Sequence, residues 1–281
     1  MTISQHHHDV AIAECVLPHH ADPPSLDAQW ARVGGGFTVH PADVEVNVER
    51  LIVSSARSAP TDARLFWVMT SWMAVHAKLV NMRQLSRRLE LLRAEVSMSA
   101  EAAIASAAVG AAFAVAQQLG GVTAKAWKGM QRHCEPLIAP RPLFDIMARQ
   151  PLLARVAREE CLEEFAIWGL WQHQITDKRD AIRSVAGVLE TAPEFRVRAI
   201  MGADLEASIL DEVRRAPRTS SELADATEAS RAAVHDAVES LMARGYVAKA
   251  ASGYRKTIRM IPGMAIWLEQ YPTLASASKN R

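Results

Sequence analysis

The chain has 281 residues, a length that accommodates two domains and a sizeable core. Its composition is 49% apolar and its formal charge is +1, which excludes a disordered chain and a globally basic nucleic-acid binder; any nucleic-acid surface must be a local patch. Frequent alanine predicts a soluble, mainly α protein, and three distant cysteines (Cys15, Cys134, Cys161) fit neither a disulfide framework nor a zinc motif, so a reducing cytoplasm is the expected compartment.

Residues 1–40 read as a flexible leader, with Pro23, Pro24 and the run Gly34 to Gly36 and no sustained periodicity. This stretch lacks the basic flank and apolar core of a signal peptide. Its His6, His7, His8, Cys15, His19 and His20 are metal-ligand types, but their spacing closes no site and no metal is assigned. From Pro41 the pattern turns helical. Asp43 is placed to cap a segment reaching Ala56, and Pro60, Thr61 and Asp62 open a helix carrying Leu65, Phe66, Met69, Trp72, Met73 and His76 at steps of three and four. That stripe has to be covered by other helices.

A helix over Met82 to Arg93 turns Leu85, Leu89 and Leu92 inward and leaves Arg83, Arg87, Arg88 and Arg93 on a solvated basic face. Ala100 to Ala116 is almost uncharged, yet it is short for a membrane span and rich in alanine rather than leucine, so a buried helix is predicted and no membrane association. Ala102, Ser106, Gly110 and Ala114 recur every four residues, a small-residue face that invites close helix contact and is a candidate for contact between subunits.

A segment to about His133 comes next, then a linker punctuated by Pro136, Pro140 and Pro142. His133, Cys134 and Glu135 are nucleophile, base and acid types side by side, but adjacent helical residues point to different faces and form no triad. Pro151 fits the first turn of a long helix to about His173 that buries Leu152, Val156, Phe165, Trp168 and Trp171. Cys161 lies among Glu159, Glu160, Glu163 and Glu164, which disfavours a nucleophilic role. A further helix is predicted over Asp177 to Leu189, with Pro193 breaking it and residues 194–202 joining the helical body to a C-terminal module. The chain's tryptophans are expected in a plain core rather than an effector pocket. No glycine-rich phosphate loop, zinc-protease or nucleophile-elbow motif occurs, so no catalytic residue or cofactor is assigned and the chain reads as a non-enzyme.

From Asp204 the pattern becomes specific. Leu205, Ile209 and Val213 repeat at steps of four behind a capping Asp204, and this helix ends at Pro217. Thr219 and Glu222 form a T-x-x-E capping box that starts a two-turn helix with Leu223 inward. After a turn at Ala226 to Ala229, Ser230 starts a third helix with Val234, Val238 and Leu241 inward and Ser230, Arg231, His235, Asp236 and Glu239 outward. Gly245 ends it. Two alternating segments, Tyr246–Val247 onward and Tyr254 to Met260, then make a hairpin bearing Lys249, Arg255, Lys256 and Arg259. From Ala203 onward 11 Lys and Arg face 10 Asp and Glu, so the module is only locally basic. Pro262 and Gly263 introduce a last helix with Met264, Trp267, Leu268 and Tyr271.

Helix, short helix, turn, third helix and hairpin, with L-M-A-R-G-Y-V followed by G-Y-R-K, resembles the winged helix-turn-helix superfamily of MarR- and ArsR-like regulators. The resemblance spans about sixty residues. It implies a third helix that reads the major groove, a wing that clamps the backbone, and Ser230, Arg231, Ala232, His235, Lys249, Arg255 and Lys256 as DNA contacts.

The expected architecture is therefore mainly α: a helical domain over 41–200 for dimerisation and possible sensing, and an α+β winged helix with its C-terminal helix over 201–281. The expected function is a homodimeric transcriptional regulator on palindromic or pseudo-palindromic double-stranded DNA, with a small-molecule effector or protein partner left open. The alternative is an interaction component of a toxin–antitoxin, phage-defence or plasmid-maintenance system whose winged helix docks a partner.

Overall fold

A computed structural model describes residues 24–121, 125–252 and 255–277. The helices run in order α1 (Leu26–Arg32), α2 (Val48–Ser58), α3 (Ala63–His76), α4 (Met82–Val96), α5 (Ala100–Gly120), α6 (Ala126–Gln131), α7 (Asp145–Ala148), α8 (Pro151–Glu159), α9 (Glu163–Ala166), α10 (Val185–Thr191) and α11 (Arg196–Met201). They are followed by α12 (Leu205–Arg215), α13 (Ser220–Ala226), α14 (Arg231–Ala243) and α15 (Pro262–Ala277). Strands are few: β1 (Arg141–Pro142) pairs parallel with β2 (Leu170–Trp171), and β3 (Val247–Ser252) pairs antiparallel with β4 (Arg255–Met260).

The N-terminal body is organised around α5. Its side chains are mostly alanine, so it is a thin cylinder, and α2, α3, α4 and α6 all pack against it. It is long and apolar enough to cross a membrane by length and composition, yet most of it is buried against these neighbours. Trp30, Trp72 and Trp127 fill the surrounding core, and each indole N–H is satisfied: Trp30 donates to Ser55 Oγ (2.8 Å), Trp72 to the Val33 carbonyl (2.7 Å) and Trp127 to the Met73 carbonyl (3.1 Å).

Several expectations are corrected here. The leader does not extend to residue 40: Ser25 caps α1, and Trp30 is 0% exposed in the core, because one tryptophan buries enough apolar surface to order the short segment around it. The histidine and cysteine cluster at residues 6–20 lies outside the described residues. Asn47, not Asp43, caps α2. The small-residue face of α5 is consumed within the chain: the Trp168 ring lies against Gly110, where an added Cβ would come within 2.6 Å of it, and Ser106 Oγ accepts from Glu135 N at 2.8 Å.

The long helix predicted from Pro151 to about His173 stops at Glu159, and Leu152 is 69% exposed rather than buried. Beyond it Leu162 N donates to the Gln172 carbonyl at 2.9 Å, and Gly169 turns the chain at φ 67°, where a Cβ would meet the Leu137 carbonyl at 2.6 Å. The chain thus leaves the helix to pair with the proline-punctuated segment, whose Leu143 and Phe144 are buried. The helix predicted over Asp177 to Leu189 is likewise divided into a 3₁₀ turn at Arg179–Ala181 and α10, which Ser184 caps.

A second core lies at the C-terminal end, where Ala207, Ile209, Leu210, Val213, Leu223, Val234, Val238, Leu241, Val247, Ile258, Met264 and Leu268 meet. The winged helix docks on the body through polar contacts. Asn81 caps α4 with its Oδ1 and donates through Nδ2 to Ser208 Oγ (3.0 Å), and Glu45 pairs with Arg215 at 2.5 Å. On the connecting helix, Arg198 pairs with the fully buried Glu49 at 2.7 Å.

Candidate nucleic-acid interface

The caps expected in the C-terminal module are all made. Asp204 Oδ1 accepts from Ala207 N (2.8 Å), and Ser230 Oγ accepts from Ala233 N (3.2 Å). Thr219 Oγ1 accepts from Glu222 N (3.3 Å) while Glu222 Oε2 accepts from Thr219 N (2.7 Å), completing the capping box. These caps fix where α12, α13 and α14 begin, and the inward leucine and valine residues fix which face of each is hidden. What remains outward on α14 is Arg231, Ala232, His235, Asp236 and Glu239, all exposed, with Ser230 exposed at its cap.

Arg231 reaches back across the turn, its Nη2 donating to Ser221 Oγ at 3.3 Å. That contact ties the first residue of α14 to the exposed first turn of α13. Of the proposed contacts, Ser230, Arg231, Ala232 and His235 therefore share one solvent-facing surface at the N-terminal half of α14.

The wing follows in register Val247↔Met260, Ala248↔Arg259, Lys249↔Ile258, Ala250↔Thr257, Ala251↔Lys256 and Ser252↔Arg255. Alternation buries Val247 and Ile258 and places Lys256 on the same pleat face as Ile258 but further out, where it is exposed. Arg255 lies at the outer end of β4, and Arg259 is exposed. Lys249 Nζ pairs with Glu239 Oε1 at 2.5 Å, and this partner holds the Glu239 carboxyl below its usual range. The ion pair joins the wing to the third helix and offsets an acid that faces outward beside the proposed reading positions.

Two features of the module have no local signature in the sequence. Arg218 exchanges both backbone hydrogen bonds with Ile258 (3.0 and 2.7 Å), adding a one-residue third rung to the wing sheet between α12 and α13. A single bridging residue between Pro217 and Thr219 has no periodicity to detect. The second feature is Glu228, which occupies the left-handed region (φ 50°) in the turn before α14, where a non-glycine residue is disfavoured by roughly 1–2 kcal/mol. Two arginines of α4 hold it: Arg83 Nη2 donates to the Glu228 carbonyl at 3.1 Å, and Arg87 lies 3.6 Å from its carboxylate.

The other chemical candidates disperse. Cys134 is buried and its thiol is pushed up to about 12 by desolvation, while His133 faces Glu90 and Glu135 pairs with Arg93, so these neighbours point to three different partners. Among the described residues no group of three or more His, Cys, Asp or Glu side chains is placed to hold a metal ion.

Neither the curated proteins nor the solved structures contain a match to the chain, and the N-terminal region matches no family model. Residues 203–256, which span α12 to the start of β4, match the family model described as MarR family, and with this geometry the C-terminal module is a MarR-type winged helix.

Proposed function

We propose that the protein is a cytoplasmic, homodimeric transcriptional regulator that binds double-stranded DNA. In this reading α14 presents Ser230, Arg231, Ala232 and His235 to base edges in the major groove, and Lys256 and Arg255 of the wing contact backbone phosphates. The observation that carries it is the clear, solvent-facing N-terminal half of α14, held in place by the Ser230 cap and by the Arg231–Ser221 contact. Lys249 is given a supporting role, since its charge is already engaged by Glu239. Dimerisation follows from specificity: two reading helices spaced about 34 Å apart read two half-sites of a palindrome.

One feature favours the alternative, in which the winged helix docks a protein in a toxin–antitoxin, phage-defence or plasmid-maintenance system. Asp236 is exposed on the same helix, and among the described residues it has no basic partner. A carboxylate there repels phosphate unless it accepts from a cytosine amine.

Selection of bound duplexes from a random pool, followed by gel shifts across a salt series, tests the proposal. Enrichment of an inverted repeat, with affinity falling linearly in log salt, is the expected outcome. Arg231→Ala should cost about 1–3 kcal/mol on the selected site and relax one base position, whereas Lys256→Ala should weaken all sequences alike and reduce the salt slope by about 1. A pool that yields no enriched sequence, together with salt-independent retention, would turn the reading to protein docking.

A further inference from the structure

The basic face of α4 is divided, with Arg93 at its C-terminal end paired to Glu135. Arg83 and Arg87 reach the winged helix through Glu228, whereas Arg88 turns the other way, toward α2. There Arg50, Val53 and Arg57 of α2 and Arg88, Leu91 and Glu95 of α4 line an open pocket of about 110 Å³ on the protein surface. Three guanidinium groups and one carboxylate line it. Arg57 is engaged by Glu95 at 2.6 Å, but among the described residues neither Arg50 nor Arg88 has an acidic partner.

Arg88 Nε is moreover buried and without a hydrogen-bond acceptor. A buried donor attached to a permanent charge is costly when unpaired, and buried polar groups in folded proteins are almost always satisfied by protein, water or ligand. One helical turn earlier Gln84 Oε1 is buried and unpaired as well. Gln84 lines the larger cavity, about 210 Å³, where α4 and the α2 cap residue Asn47 meet Ser208 and Thr227 of the winged helix.

We propose that the α2–α4 cavity binds the phosphate or carboxylate head of a small molecule, held by Arg50, Arg57 and Arg88. The chemistry that satisfies this lining is an oxyanion: its several acceptor oxygens match the planar donor fork of a guanidinium, and a local excess of two positive charges attracts it. The wall positions Val53, Leu91 and Leu92 supply apolar contact beside the head. The cavity is independent of the wing and of the outward face of α14, so this site stands or falls separately from DNA binding.

The test is calorimetric titration of the full-length protein with inorganic phosphate at constant ionic strength held by chloride, with thermal melts in parallel. Saturable binding at one phosphate per chain is expected, with a rise in Tm. Arg88→Gln and Arg50→Gln should each weaken phosphate about tenfold or more, while Arg155→Gln on α8 should leave it unchanged. Arg50 is exposed at the cavity rim, so its variant remains informative where Arg88→Gln melts early. Absence of saturable binding by the unmodified protein, or binding that survives both Arg50→Gln and Arg88→Gln, overturns the site. Duplex DNA distinguishes the source of phosphate: if these substitutions weaken DNA and leave inorganic phosphate untouched, the arginines contact nucleic-acid backbone and the small-molecule assignment is wrong.

Discussion

His76 ends α3 against the Trp72 ring, and its Nε2 hydrogen bonds to the Arg183 carbonyl at 2.9 Å while Nδ1 is buried without a partner. Burial lowers its pKa to about 4, with the carbonyl partially opposing that shift. The folded protein therefore keeps His76 neutral where the unfolded chain takes up a proton. Its contribution is complete above about pH 6.5 and is lost as pH falls toward 4, on the order of 3 kcal/mol over that window. Thermal melts from pH 7 to 4.5 should show a decline that is flatter in His76→Gln; parallel pH profiles would remove the assignment. Arg198 offers a second case. It pairs with Glu49, which is 0% exposed, and donates to the Leu79 carbonyl at 3.1 Å, while Asn81 N also donates to Glu49 at 2.7 Å. Arg198→Met strands a buried carboxylate and should cost about 3–5 kcal/mol in denaturant melts. A double change with Glu49→Gln should recover much of that loss.

At the scale of the elements, α13 is a short helix anchored by its ends. It has seven residues and only Leu223 and Ala224 buried, too little to hold two turns by packing alone. The Thr219–Glu222 box therefore decides where it starts. Thr219→Ala should lower stability by about 1 kcal/mol, and hydrogen exchange should rise in α13 before it rises in α12. The same exchange in both helices would show that the box is not the local anchor. The contrasting element is α5, whose start is also capped, by Ser99, but whose stability comes from being surrounded. Its alanines are legible as a buried helix; their partner is not, because closeness to Trp168 depends on a chain reversal near Gly169, far along the sequence.

At the scale of the molecule, α4 is the shared part. Its N-cap Asn81 binds Ser208, its Arg83 and Arg87 hold the strained Glu228 turn, and its Arg88 faces α2. The turn that sets the start of the proposed reading helix is thus held from the helical body. Replacing both Arg83 and Arg87 by Gln should speed amide exchange over residues 226–230 several-fold while leaving the α5 core protected. Unchanged exchange there would show that the turn is held by its own module.

The winged helix is written in the order of its residues. The caps at Asp204, Thr219 and Ser230, the inward spacing of Val234, Val238 and Leu241, and the alternation after Tyr246 are local rules, satisfied within a few residues of where they occur. The helical body obeys a different logic, in which contacts between distant segments override the local pattern. Helical periodicity continues after Pro151, but the chain leaves the helix because β1 offers its backbone a partner that periodicity does not reveal. Lys249 is engaged by Glu239 rather than left free, and the arginines of α4 are divided among the winged helix, Glu135 and the α2 pocket. Charge pairing and helix facing depend on which segments meet, and that is settled by packing between parts of the chain far apart in sequence.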